Sequence, residues 1–326
     1  MSTGRFWTGL VAAVVLVAVA TRLVTNQYVF FAGYGVLQYI VLASAWNILG
    51  GYAGYVNFGT AAFFALGAYT SVVLGKLVPL PIPVMILAGG LVSGLVGVLM
   101  GVMTLRLRGV FFSICTLALA VVAQAAITNW DYVGGSSGAY VIPPRVGPFG
   151  GSYVEYLFLV MLVLAGLAVG LARTIERSRL GDGLAAIRDD EGAAEALGVP
   201  TFRLKLAMTV ISGALMGMAG APLPYYTAYI DPSSGFALSY PVNTIAMALV
   251  GGTATWAGPV VGAVLLDTAQ QTAMVTISSG ANMMVVGLLL VGFVSLAPKG
   301  IVGLVRGLTG GRSRPRHDKQ TRRKLA

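Results

Sequence analysis

The chain is short of the residues from which most enzyme sites are built. It has one histidine, His317, and one cysteine, Cys115. A single histidine close to the end of the sequence excludes His-based triads and histidine metal clusters. A single cysteine excludes an intrachain disulfide framework and a cysteine metal site. Cys115 lies in an apolar run and reads as a small buried hydrophobe. No G-x-x-x-x-G-K-[ST] stretch occurs, so the chain does not hold ATP in the P-loop manner. Catalytic residues, a metal site and a resident cofactor are therefore not expected. Charge is scarce as well: 10% of the 326 residues are Asp, Glu, Lys or Arg, against about 25% in a soluble domain.

What is present is apolar. Hydrophobic residues make up 57% of the chain, and the mean hydropathy is +0.84. A soluble fold of this length could not hide that much apolar surface. The apolar residues instead form runs near the roughly 20 residues that cross a bilayer. Ten can be drawn: Trp7–Val24, Val29–Leu49, Val56–Leu74, Pro83–Thr104, Val110–Thr128, Tyr153–Ala172, Leu204–Leu223, Pro241–Val250, Pro259–Thr276 and Asn282–Leu296. Helix is the default state, because lipid offers no partner to an unpaired backbone group. The expected fold is all-α: a polytopic transmembrane bundle of about ten segments with interrupted helices. The eighth segment is too short to span alone. The 44 glycines let helices approach closely or permit broken helices beside a cavity.

The net charge of +10 is unevenly placed. Nine Lys/Arg and one Asp follow Pro298. Nucleic-acid binding is one reading of such a tail. A cytoplasmic tail under the positive-inside rule is the other, and the one adopted here. Arg106 and Arg108, the stretch 173–205 and the tail fall on one side if ten segments are counted, which makes both termini cytoplasmic. Asn129–Gly151 and Thr227–Tyr240 then face outward. Arg5, the apolar run from Gly9 and Ala18-Val19-Ala20 imitate a signal peptide; an uncleaved first helix is preferred. The domain division is 1–298 as the membrane domain, with 173–205 as a cytoplasmic loop, and 299–326 as a basic tail.

Few ionisable groups fall within the apolar runs. Asp267, followed by Gln270 and Gln271, is the clearest, and a carboxyl at membrane depth is a functional candidate by default. It also has a plain role open to it, as a hydrogen-bonding group between helices. A carboxylate without a buried partner gives thin support to a proton or sodium relay.

Residues 173–205 form the most informative polar stretch, RTIERSRLGDGLAAIRDDEGAAEALGVPTFRLK, with six basic and six acidic residues. Asp182 can cap a helix. Leu184, Ile187, Glu191, Ala194 and Gly198 share one face at helical spacing, and Gly198 with Pro200 is a stop signal. One short exposed helix from Asp182 to Gly198 is expected. It is either a solvated connector or a docking helix for a cytosolic partner.

In this loop Ser178, Gly181, Leu184-Ala185-Ala186-Ile187-Arg188, Glu191, Ala193-Ala194, Gly198 and Lys205-Leu206 resemble the coupling segment of LivM-type permeases, the branched-chain amino acid ABC importer family. Other stretches agree in order along the chain. They are Gly51-Tyr52-Ala53-Gly54 through Gly67-Ala68-Tyr69, Arg108-Gly109 through Thr116-Leu117, Asn129-Trp130-Asp131 with Gly134-Gly135, Gly251-Gly252 with Gly258-Pro259, and Pro298-Lys299-Gly300. Three short stretches depart from the family pattern. Gly59-Thr60 stands where Gly-His is common, Tyr55 and Asn57 where Gln and Ser are common, and Asp182 where Arg is usual.

The resemblance implies the permease subunit of an ATP-driven importer in the plasma (inner) membrane. Its cargo would be a small polar solute such as a branched-chain amino acid or a related carboxylate or amide. It implies a second homologous permease, two cytosolic ATPase subunits that bind ATP-Mg, and an extracytoplasmic solute-binding protein, with no nucleic-acid partner. Arg179, Gly181, Arg188, Glu191, Glu195 and Gly198 are the expected ATPase-coupling residues, with charged contacts from Arg188, Glu191 and Glu195. Asn57, Thr60, Asn243, Thr244 and Asp267 are the candidates for the translocation path, where half-helix N-termini can receive a carboxylate; the alternative for these groups is hydrogen bonding between helices. The rival readings are an ion-coupled secondary transporter or facilitator, which needs no docking helix, and a membrane-embedded enzyme, which needs convergent ionisable groups.

Overall fold

The computed structural model describes residues 3–23, 26–78, 80–143, 152–253, 255–276, 287 and 300–303. The described chain is helical: α1 (Thr3–Ala20), α2 (Gln27–Leu49), α3 (Thr60–Leu77), α4 (Ile82–Thr104), α5 (Val110–Thr128), α6 (Tyr153–Glu176), α7 (Arg179–Asp189), α8 (Glu191–Ala196), α9 (Thr201–Gly220), α10 (Leu223–Thr227), α11 (Pro232–Gly235), α12 (Ser239–Gly251) and α13 (Ala257–Thr276). The one strand pairing among the described residues joins β1 (Ala139–Tyr140) to β2 (Tyr229–Ile230), antiparallel, with Ala139 opposite Ile230. It ties the loop after α5 to the loop after α10.

Seven stretches are long and apolar enough to cross a membrane: α1 with the turn that follows it, α2, α3, α4, α5, α6, and α9 continued through α10. They correspond to the first seven apolar segments. The eighth and ninth are α12 and α13. At 13 residues, α12 reaches only about 20 Å, so it is a half-helix. α13 has the length of a span and carries Asp267, Gln270 and Gln271. Asn282–Leu296 and the basic tail lie outside the described residues, except Gly287 and residues 300–303.

Lipid gives no hydrophobic drive for helices to associate, so close approach has to supply the attraction. The centre of the bundle is accordingly built on bare backbone. A Cβ at Gly67 in α3 would collide with the Gly217 carbonyl oxygen of α9. A Cβ at Gly251 in α12 would collide with that of Gly258 in α13. Around these contacts Trp46, Phe63, Phe64 and Tyr69 are almost fully buried. On α5 the residues Val110, Phe111, Ile114, Val121 and Val122 are exposed, so α5 is peripheral and turns an apolar face outward.

Phe6 at the start of α1, Arg173 near the end of α6 and Trp256 before α13 meet at one end of the bundle. The Arg173 guanidinium carbon sits 3.7 Å from the Phe6 ring centroid and 5.3 Å from that of Trp256. Arg173 is buried, because α6 continues to Glu176. Lys205 is buried in α9. The solvated loop is therefore shorter than 173–205 at both ends, and its two outermost charges belong to the bundle.

Candidate functional site

The loop folds as two helices rather than one. Ser178, not Asp182, caps the first: its hydroxyl accepts from the Leu180 N–H at 3.2 Å. Asp182 then lies within the first turn of α7. The expected continuous helix breaks at Asp190, whose extended backbone ends α7 and whose carboxylate caps α8 through the Ala193 N–H at 3.0 Å. Leu184, Ile187 and Ala194 are buried as the spacing predicts. Gly198 ends the pair with φ +85°, a left-handed conformation that favours glycine.

Glu191 does not project toward solvent. Its Oε1 accepts from Lys205 Nζ at 2.5 Å, and its Oε2 accepts from the Tyr55 hydroxyl at 2.5 Å. Arg108 Nε lies 3.3 Å from the same Oε2. Lys205 Nζ donates in addition to the Tyr55 hydroxyl oxygen at 3.0 Å and to the Leu105 carbonyl at 3.2 Å. An ammonium has three donors, so this buried cation is fully satisfied. Burial pushes the Glu191 carboxyl up, but the hydrogen bonds from Lys205 and Tyr55 and the charges of Lys205 and Arg108 outweigh it, and it sits below its ordinary value. Burial, followed by the bond to Glu191, raises the Tyr55 phenol well above its ordinary value, so it donates as a neutral hydroxyl.

The other loop residues divide by exposure. Gly181 is buried, and a Cβ there would come within 2.5 Å of the Ile175 and Glu176 carbonyl oxygens; it lets α7 fold back on the end of α6. Glu195 is half exposed, accepts from the Thr201 hydroxyl at 2.6 Å and has Arg108 at 3.9 Å. Arg188 is exposed, pairs with Asp189 at 3.4 Å, and lays its stem over Gly54. Arg179, Gly198, Leu180 and Leu197 border an open groove of about 500 Å³. Leu197 is 85% exposed in it.

The five membrane-depth candidates fall into two groups. Asn57 and Thr60 stand at the approach to α3. Asn57 Oδ1 accepts from the Gly59 N–H at 2.7 Å, and the Asn57 carbonyl accepts from Trp46 Nε1 at 2.9 Å. The Asn57 Nδ2 and the Thr60 hydroxyl are buried without a partner among the described residues. Beside them Phe58, Ala61, Gln124, Ser233, Phe236 and Pro241 help to line a cavity of about 390 Å³ where α3, α5, α11 and the start of α12 converge. Asn243, Thr244 and Asp267 lie across α12, α2 and α13: Asn243 Nδ2 donates to the Tyr39 hydroxyl at 3.3 Å, and Gln271 Nε2 donates to Asp267 Oδ2 at 3.3 Å. The Thr244 hydroxyl is buried and has no partner among the described residues.

Sequence reasoning missed the inward turn of Glu191 and the parts played by Tyr55 and Lys205. Lys205 carried a signal, since it is a lone lysine where an apolar helix begins. Tyr55 was visible only as a departure from the family pattern.

The described residues thus form an all-helical polytopic membrane bundle, with the short pair α7–α8 between the spans α6 and α9. Residues 27–294 match the protein-family model described as branched-chain amino acid transport system / permease component. The chain belongs to this family and is a membrane permease subunit of an ABC importer. It is similar to the high-affinity branched-chain amino acid transport system permease protein LivM of Salmonella typhimurium, with 29% identity over 82% of this chain and 68% of that one. It is also similar to BraD of Pseudomonas aeruginosa, a permease of the same description, with 25% identity over 71% of this chain and 80% of that one. The L-arabinose ABC transporter permease protein AraH of Azospirillum brasilense shares 26% over 65% of this chain and 60% of that one. No solved structure matches the chain.

Proposed function

We propose that the chain moves branched-chain amino acids into the cytoplasm as one of two homologous permeases, with two ATPase subunits docked on the α7–α8 end and a solute-binding protein delivering cargo at the opposite end. The coupling end faces the cytoplasm, in keeping with the placement of Lys and Arg. ATP and Mg are bound by the ATPases and not by this chain. The observation that carries the reading is the groove around Arg179, Leu180, Leu197 and Gly198. Leu197, 85% exposed, with Leu180 and Val199 gives this groove an apolar wall that a docked subunit would bury. Arg179 and Asp182 supply charge at its wall, Glu195 and Arg188 supply charged contacts outside it, and Glu191 holds the pair in place from within.

Cargo passes through the cavity beside α3, with Phe58 and Ala61 at its wall, Asn57 and Thr60 buried directly behind it, and the N-terminal end of the half-helix α12 directed at the carboxylate. The exposed apolar face of α5 is where the second permease closes the path. Asn243, Thr244 and Asp267 line or brace its far side.

The docking part is tested by co-purification of the ATPases with wild-type chain and with Leu197→Asp and Gly198→Val. The reading expects both variants to remain folded and to lose the ATPases. Full retention of the ATPases by both would reject this groove as the docking surface.

A further inference from the structure

The coupling helices hold the chain segment that leads into the translocation cavity, and they do so by two consecutive residues. At Gly54, φ is +76°, and a Cβ would come within 3.1 Å of Arg188 Cγ, so the α7 side chain lies directly on the bare backbone. At the next residue, the Tyr55 hydroxyl is shared by Glu191 of α8 and Lys205 of α9. Beyond Tyr55 the segment is strapped to α5. The Ser113 hydroxyl donates to the Val56 carbonyl at 2.8 Å, and the Phe58 N–H donates to the Thr116 hydroxyl at 3.1 Å. Asn57 then caps the turn into α3 through the Gly59 N–H. The path from the α7–α8 pair to the cavity wall at Phe58 is thus short: a backbone contact at Gly54, then directional bonds at Tyr55, Val56 and Phe58. Lys205 also holds the Leu105 carbonyl at the end of α4, so a displacement of α8 is referred to a fixed point in the bundle.

We propose that Tyr55 and Lys205 are positioning residues of transport. They convert a displacement of α7–α8 by the ATPases into a displacement of residues 55–59, and hence of the cavity wall at Phe58 and Ala61, behind which Asn57 and Thr60 are buried. Glu191 is the latch between the two parts. This inference rests on the importer reading above. Tyr55→Phe is the sparing variant: it removes the shared hydroxyl and leaves the ring against Phe112, 5.1 Å away edge-on.

The assembled complex in liposomes, with its ATPases and binding protein, is assayed for uptake of labelled leucine, valine and isoleucine and for ATP hydrolysis. In Tyr55→Phe and Lys205→Met the uptake per ATP hydrolysed falls by about fivefold or more, the lower range of coupling between sites. The Tyr55→Phe complex stays assembled with an ATPase rate near wild type, although its melting temperature is lowered by the loss of a partner to Lys205 and Glu191. An unchanged uptake per ATP in Tyr55→Phe overturns the inference, and so does a loss of uptake that only follows loss of assembled complex. Absence of ATP-driven uptake in the wild type would instead overturn the importer reading.

Discussion

Lys205 Nζ lies 2.5 Å from Glu191 Oε1, with 3% of the lysine side chain and 10% of the glutamate side chain exposed. A charge this deep in a membrane protein is held only by a complete set of partners, and taking one partner away leaves the other charge buried and bare. Lys205→Met is therefore expected to destabilise the purified chain by about 3–5 kcal/mol. Lys205→Met with Glu191→Gln should cost less than the sum of the two single changes. Thermal unfolding of the four proteins in one detergent measures the cycle, and additive losses would show that the pair is not coupled.

The same pair sets a pH dependence. The Glu191 carboxyl is held below its ordinary value near 4.5. A depressed carboxyl contributes stability that is fully present above the unfolded-state value and is lost as pH falls through the folded-state value. The difference in melting temperature between wild type and Glu191→Gln should therefore be constant from pH 7 to about pH 5 and shrink below about 4.5. A difference that grows on acidification would contradict the assignment.

Backbone contact between α3 and α9 predicts an asymmetric response to a single methyl group. Gly67→Ala drives a Cβ into the Gly217 carbonyl of α9 and should cost about 1–3 kcal/mol as overpacking. Gly9→Ala in α1, where a Cβ meets nothing within 4 Å, should change stability by less than about 0.5 kcal/mol. Melting curves of the two variants make the comparison.

Arg173 is buried between Phe6 and Trp256, rings that themselves meet edge-on at 5.1 Å. A desolvated guanidinium on two rings is worth about 2 kcal/mol. Arg173→Leu should lose stability of that order and loosen the start of α1, which faster amide hydrogen exchange around residues 6–10 would report. Unaltered stability would mean the stacking contributes nothing.

Asp267 discriminates between driving forces. Asp267→Asn keeps the acceptor for Gln271 and removes the charge. Under the importer reading, uptake by this variant still requires ATP and is indifferent to a proton or sodium gradient. Gradient-driven uptake in wild type that disappears in Asp267→Asn would favour the secondary-transporter reading.

The spans were legible in the sequence because twenty apolar residues in lipid have one satisfactory conformation. The Gly198 stop was legible for a similar reason, since a left-handed turn favours glycine. The half-helix α12 appeared only as a run too short to span. The break at Asp190 was not foreseen, although Asp190 followed by Glu191 is itself a helix-start signal; the even spacing of Leu184, Ile187, Glu191 and Ala194 concealed it. The inward turn of Glu191 could not be read from the loop at all. Its partners are Tyr55, Arg108 and Lys205, and the first of these is 136 residues away. Local pattern carries no information about such pairings. The burial of Arg173 was hidden by its place at the end of a charged stretch, whereas Lys205 at least stood out as a lysine where an apolar helix begins.

The most direct measurement is uptake of a labelled panel of leucine, isoleucine, valine, urea and small aromatic acids by the reconstituted complex, with and without ATP and with the ATPases omitted. The account predicts ATP-dependent uptake of the branched-chain amino acids that vanishes when the ATPases are left out. Uptake that persists without ATPases and follows an ion gradient would contradict it.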